Sequence, residues 1–185
     1  RRVLFRSFRL GVTALVGLSL LLTGCGGKEE LLITGDVVGC QTINLIENPS
    51  QEITTECLDG LPGINIAAIK GPAIINVWGS WCEPCKKEMP YFAEFYASMD
   101  PNIQLIGVDV EEKRIEDGRM FARTNGIKWP NLYDGEGITR PYFGMGVPVT
   151  WFIGSSGEVR YKKVGPVESA DELRTLAFKY LGGQG

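Results

Sequence analysis

Histidine is absent from all 185 residues. That absence removes imidazole metal ligands, histidine-ligated haem, Ser-His-Asp triads and Cys-His nucleophile pairs together. Basic runs are also missing. No long Lys/Arg run occurs past residue 9 and the net charge is −3, so no nucleic-acid footprint is present. Long apolar stretches are limited to residues 10–22, too short for a comfortable membrane span. There is no internal repeat and no low-complexity tract. A composition of 44% hydrophobic and 22% charged residues, with 24 Gly and 10 Pro, excludes disorder and collagen-like repeats. The length suits one domain or a little more, enough for a core without many covalent staples. Cysteine is sparse, at five, and carries the obvious chemistry.

The N-terminus has the pattern of a targeting segment. Arg1, Arg2, Arg6 and Arg9 make a basic start, and residues 10–22 are an uncharged apolar run of signal-peptide length. Leu22-Thr23-Gly24-Cys25 follows, in the form of a bacterial lipobox: a branched residue, two small ones, then the cysteine that takes lipid. The competing reading is an ordinary secretory signal with a chance cysteine. The sequence predicts a lipoprotein signal peptide over 1–24, a lipid-anchored Gly-rich linker over 25–39 and a folded domain over 40–185. The chain opens on Arg1, so the numbering is expected to lack an initiator. Removing the four arginines takes the charge from −3 to −7. Acyl chains on Cys25 would tether the domain to the outer face of a bacterial membrane. Residues 31–33 are an apolar interruption without an assignment.

With Cys25 set aside, Cys40, Cys57, Cys82 and Cys85 remain. Four thiols in an exported protein suggest two pairs. Cys82 and Cys85 form C-x-x-C, and Cys40 and Cys57 are expected to form a separate structural disulfide. A four-cysteine zinc site would need a second closely spaced ligand pair, which is missing, so no metal and no cofactor are expected. Four inert buried thiols would suit only a reducing compartment.

Hydrophobic patterning predicts a β/α alternation. Short strands over 40–46 and 53–58, with Asn48-Pro49-Ser50 as their turn, suggest an N-terminal β-hairpin. Residues 73–78 form an apolar run between Gly71-Pro72 and Gly79, typical of a buried strand. A helix follows over 83–99, with Phe92, Phe95, Tyr96 and Met99 on one face and a kink expected at Pro90. A second buried strand covers 103–110 and a helix covers 116–125, stopped by Gly126. Residues 149–153 and 159–164 flank Gly154-Ser155-Ser156-Gly157, a hairpin signal. A last helix covers 169–181, with Ser169 as its N-cap.

A C-x-x-C after a buried strand and opening a helix has the form of a thioredoxin-like redox motif. At a helix N-terminus, unpaired N–H groups and the macrodipole stabilise a Cys82 thiolate. Cys85 falls one turn later and can close the disulfide, and Pro84 sits in the first turn, where a missing N–H costs nothing. Cys82 is therefore expected to be the exposed nucleophile and Cys85 the shielded resolving thiol. A purely structural short disulfide is the alternative.

The segment Ile75-Asn76-Val77-Trp78-Gly79-Ser80-Trp81-Cys82-Glu83-Pro84-Cys85-Lys86-Lys87-Glu88-Met89-Pro90 closely resembles the active-site segment of TlpA/ResA-type thiol-disulfide oxidoreductases. Gly146-Val147-Pro148-Val149-Thr150-Trp151-Phe152-Ile153 resembles that family's cis-proline segment. The resemblance covers about residues 50 to 182; the Cys40/Cys57 region lies outside the common pattern. It implies an α/β, thioredoxin-like fold: a central mixed sheet flanked by helices, with a βα insertion before the cis-proline. It also implies a functional glutamate at Glu88. From spacing alone, Glu88 shares a helix face with Cys85 and could take its proton, or could be a surface charge beside Lys86 and Lys87. Asn76 stands where thioredoxins resembling this segment carry a buried Asp, and is expected to be a satisfied core amide.

Trp81, Glu83, Pro84, Val147 and Pro148 are the expected substrate-binding residues; Trp78, Trp129 and Trp151 are expected in the core. An X-Pro beside a buried strand suits a cis bond, leaving the Val147 backbone free to pair with a peptide. The expected activity is a membrane-anchored, monomeric thiol-disulfide oxidoreductase. The resemblance implies reduction of disulfides in exported proteins, apocytochrome c included, with recharging by a membrane thiol donor. A negative Glu83 beside Cys82 should disfavour the thiolate and favour a less oxidising pair. An oxidase that introduces disulfides is the main alternative. A peroxiredoxin-like peroxidase lacks its Thr-x-x-Cys motif here, and a copper carrier would want a histidine.

Overall fold

A computed structural model describes residues 37–144 and 146–182. In chain order these form β1 (Thr54–Cys57), β2 (Ile64–Asn65), β3 (Ala73–Trp78), α1 (Glu83–Tyr96), β4 (Gln104–Val110), α2 (Ile115–Thr124), β5 (Asn131–Asp134), α3 (Arg140–Phe143), β6 (Val149–Ile153), β7 (Val159–Val164) and α4 (Ala170–Ala177). The signal segment 1–24, Cys25 and residues 31–33 lie outside the described residues. Among the described residues no helix is long and apolar enough to cross a membrane.

One mixed sheet has the order β2-β1-β5-β4-β3-β6-β7. β3, β4 and β5 run parallel, while β6 pairs antiparallel with β3 and β7 with β6 on one side, and β1 pairs antiparallel with β5 and β2 with β1 on the other. All six residues of β3 are buried, as its uninterrupted apolar run predicts for a strand covered on both faces. Alternation along β3 divides the core. Ile74 and Trp78 face a layer containing Met89 and Phe92 of α1, Phe121 of α2 and Leu173 of α4. Ala73, Ile75 and Val77 face the opposite layer, with Ile66, Ile69, Phe143 and Trp151. Asn76 shares the first face, which aims its amide at α1.

α1 is capped by the sulfur of Cys82, the residue before it, and continues through Pro90. Cys85, Met89, Phe92 and Phe95 recur at three- to four-residue spacing and are buried. Burying side chains such as Met89 and Phe92 contributes about 1.5–3 kcal/mol each. α4 packs against α1 and is capped by Ser169 Oγ, which accepts the Glu172 N–H at 3.0 Å.

The N-terminal hairpin is corrected. Residues Cys40–Thr42 form a 3-10 turn, not a strand, and Leu45 makes an isolated bridge to Ile69. β1 pairs instead with β2, ten residues downstream, and with β5. The covalent link between Cys40 and Cys57, with Cα atoms 5.6 Å apart, holds the turn against the end of β1. Residue 40 therefore meets β1 through its side chain and not through a backbone ladder. The last helix runs to the expected end, but only Ala170–Ala177 is α-helical and Phe178–Gly182 widen into π-type geometry. The β5–α3 segment occupies the insertion before the proline segment, where β5 extends the parallel ladder from β4.

Candidate active site

Cys82 and Cys85 are joined by a disulfide, with Cα atoms 5.3 Å apart. Cys82 occupies the helix-capping position, and its sulfur accepts the Cys85 N–H at 3.2 Å. This is the bond that would stabilise a Cys82 thiolate once the pair is reduced. The expected exposed Cys82 is corrected: it is 4% accessible in the disulfide state, against 0% for Cys85. The asymmetry has the expected direction but is small, because Cys82 packs within the hydrophobic layer under α1.

Glu83 is exposed and forms an ion pair with Lys86 at 2.5 Å. The Lys86 ammonium, through that hydrogen bond and its charge, holds the Glu83 carboxyl below its ordinary range. Glu83 therefore acts on Cys82 as half of a solvated pair, and the effect expected from its isolated charge is much reduced.

Glu88 is completely buried. Its Oε1 accepts from the Asn76 side-chain amide and its Oε2 from the Val167 N–H, each at 2.9 Å. Burial pushes its pKa up to about 7, against the opposing effect of those two donors and of Lys163. A carboxyl poised near neutrality, one helical turn beyond Cys85, has the chemistry of a proton acceptor for that thiol. Asn76 is only half satisfied: its amide nitrogen donates to Glu88, while Oδ1 has no partner.

Four of the five expected substrate-binding residues divide between two grooves; Pro148 is buried and lines neither. Trp81, 51% exposed, lines one with Val77, Glu111, Arg140, Phe143 and Val147. Glu83 and Pro84 line another with Lys87, Tyr91, Pro166 and Glu168. The Val147–Pro148 bond is cis, as is Gly71–Pro72, which sequence reasoning did not single out. The Pro148 carbonyl accepts the Gly165 N–H at 3.0 Å, tying the start of β6 to the segment that holds Glu88. Trp78, Trp129 and Trp151 are buried.

Sequence reasoning missed the acidic corner after β4. Glu112 Oε2 accepts the Ser80 hydroxyl at 2.9 Å, and its Oε1 accepts the Ser80 N–H. Glu111, with φ of 58°, is paired with Arg140 at the groove rim. The signal was a run of acidic residues directly following a buried strand.

A model of the family described as AhpC/TSA matches residues 46–162, more than half of the chain. The chain belongs to the AhpC/TSA family. Within it, the chain is 31% identical over 162 residues to thiol-disulfide oxidoreductase ResA of Bacillus cereus (strain ATCC 10987 / NRS 248), covering 85% of both chains. It is 31% identical over 108 residues to sporulation thiol-disulfide oxidoreductase A of Bacillus subtilis, a match spanning 55% of this chain and 63% of that protein. That second match covers less than two thirds of the relative. The crystal structure of StoA from B. subtilis superposes with a TM-score of 0.56 at 28% identity, covering 66% of this chain and 93% of that one. The fold is thioredoxin-like, and this member of the AhpC/TSA family is a thiol-disulfide oxidoreductase of the ResA and StoA type.

Proposed function

We propose that the protein is a lipid-tethered reductant of disulfides in exported proteins, working outside the membrane through Cys82 and Cys85. The observation that carries this reading is the Cys82–Cys85 pair at the N-terminus of α1 with buried Glu88 one turn beyond. In the reduced protein the Cys82 thiolate attacks a substrate disulfide, forming a mixed disulfide and releasing one substrate thiolate. Glu88 takes the Cys85 proton. The Cys85 thiolate then attacks Cys82 Sγ, closing the 82–85 disulfide and releasing the second substrate thiol. Two electrons pass to the substrate, and a membrane thiol donor must return them. The groove between Trp81 and Val147 suits the residues flanking a substrate cysteine.

Lipid on Cys25 would keep the domain beside that donor. Cysteine pairs such as those of apocytochrome c are the substrate class that the ResA-type resemblance favours. The Glu83-Pro84 dipeptide supplies no histidine cation to stabilise the thiolate, which supports a stable disulfide and a reducing potential. Equilibration against thiol buffers tests the direction. The expected potential lies nearer roughly −270 mV than roughly −120 mV, with reduction of insulin disulfides by the dithiol form. A strongly oxidising value, with fast oxidation of a reduced unfolded substrate, would replace this reading with the oxidase.

A further inference from the structure

Two further acidic residues, Asp109 and Glu112, lie at the end of β4 and just beyond it. Asp109, in register with Trp78 of β3 and Tyr133 of β5, is completely buried. Gly118 on α2 leaves room for it, because a Cβ there would meet Asp109 Oδ2. Neither Asp109 oxygen finds a hydrogen-bond donor. An ionised carboxylate only accepts, so at this site it would be unsatisfied; a carboxylic acid supplies its own donor. Three residues on, Glu112 is nearly buried and offers an acceptor, its oxygens also taking the Ser80 N–H and hydroxyl.

The groups facing Asp109 reinforce this. Burial, then Glu112 through charge and hydrogen bond, then Asp117 of α2 all push Asp109 well above the usual carboxylate range. Tyr133 of β5 also faces it and adds no positive charge. The nearby cation Arg114 is engaged with Asp117 at 2.7 Å. Beside Ser80, the Trp81 indole N–H donates to the Val110 carbonyl at 3.2 Å. Three hydrogen bonds thus fasten residues 80 and 81 to the end of β4 immediately before Cys82.

We propose that Asp109 and Glu112 share a proton and together position the Ser80–Trp81 segment, coupling the placement of Cys82 to pH. The two are positioning residues. With the proton in place, Asp109 donates to Glu112 and Glu112 stays on Ser80. Its loss leaves two like charges in a buried site and loosens the segment. The consequence for Cys82 rests on its role as attacking thiol; the pair itself does not.

The test follows tryptophan fluorescence against pH in the oxidised protein, where no exchange chemistry occurs, and Cys82 alkylation against pH in the reduced protein. The expected result is a fluorescence step on raising the pH, displaced upward from the usual carboxylate range, that disappears in Asp109→Asn, whose amide donates to Glu112 at every pH, and in Trp81→Phe. The Cys82 alkylation profile should lose its matching inflection in Asp109→Asn. Glu112→Gln provides a second arm: its amide can donate to an ionised Asp109, so the step should move down by roughly one pH unit or more. Absence of the step in the unmodified protein, or its persistence unchanged in Asp109→Asn or Glu112→Gln, overturns the proposal. If the step behaves as expected but Cys82 proves not to be the attacking thiol, the pair stands and the reading of Cys82 falls.

Discussion

The Asn76 side-chain amide on β3 donates to Glu88 Oε1 on α1 across 2.9 Å, inside the protein and out of reach of solvent. This contact joins the central strand to the helix that carries both redox cysteines. With the Val167 N–H on Oε2, it offers Glu88 two donors, yet burial still dominates and lifts the carboxyl to about 7. The site can thereby hold or release one proton near neutral pH next to the resolving cysteine.

Glu88→Gln should slow thiol-disulfide exchange and remove the inflection near pH 7 from the Cys85 alkylation profile, without unfolding the domain. Stability should respond with a defined sign. Between about 4.5 and about 7, folded Glu88 keeps a proton that the unfolded chain has lost, so stability falls as pH rises through that window. The accumulated cost above pH 7 is roughly 3 kcal/mol. Urea unfolding at pH 5 and pH 8 should show this fall in the unmodified protein and a flatter response in Glu88→Gln. An identical response in both returns Glu88 to a structural role.

Asn76→Ala should act through Glu88. It removes a donor that favours the charged carboxylate, so the Glu88-linked inflection should move to higher pH. Loss of a buried hydrogen bond should also cost about 1–3 kcal/mol in denaturant unfolding. A stability loss with no movement of the inflection would separate Asn76 from the proton chemistry.

The pairing of Cys40 with Cys57 closes a loop with a sequence separation of 17. Replacing both by serine should cost about 3 kcal/mol by the loop-entropy relation. Insulin reduction at temperatures where the variant stays folded should be unchanged. Loss of exchange in the folded variant would instead connect this bridge to the redox pair.

Much of the domain was legible because its strands are short apolar runs between strong breakers. The bounds 73–78, 149–153 and 159–164 coincide with β3, β6 and β7. The N-terminal segment was not legible: apolar residues 43, 45 and 46 resemble a strand, but Ile43 packs into the core beside a 3-10 turn. Ile64–Asn65 is too short to show periodicity, and its pairing with β1 depends on tertiary position. At the site, C-x-x-C stood out by spacing, whereas Glu88 shared its spacing with a plain surface charge and was singled out by the family resemblance. Glu112 and Asp109 did not stand out, because their partners Ser80 and Gly118 are distant or featureless in sequence and meet them only when β4 lies beside β3.

Trp81 is half exposed at the rim of the Val147 groove and holds its indole N–H on Val110. Trp81→Ala should slow reduction of a protein disulfide by roughly tenfold, as expected for loss of an aromatic anchor. Reduction of a small aromatic disulfide, which needs little of the groove, should change far less. Equal slowing of both would place Trp81 in support of Cys82 and not in substrate contact.

The division of labour between Cys82 and Cys85 is tested most directly by trapping. Cys85→Ser and Cys82→Ser are each incubated with a disulfide-containing exported protein, quenched with acid and alkylated, and examined on non-reducing gels. Cys85→Ser should accumulate a mixed disulfide through Cys82 that collapses on addition of dithiothreitol, while Cys82→Ser should accumulate none. Equal trapping by both variants, or trapping through Cys85 alone, would contradict the account.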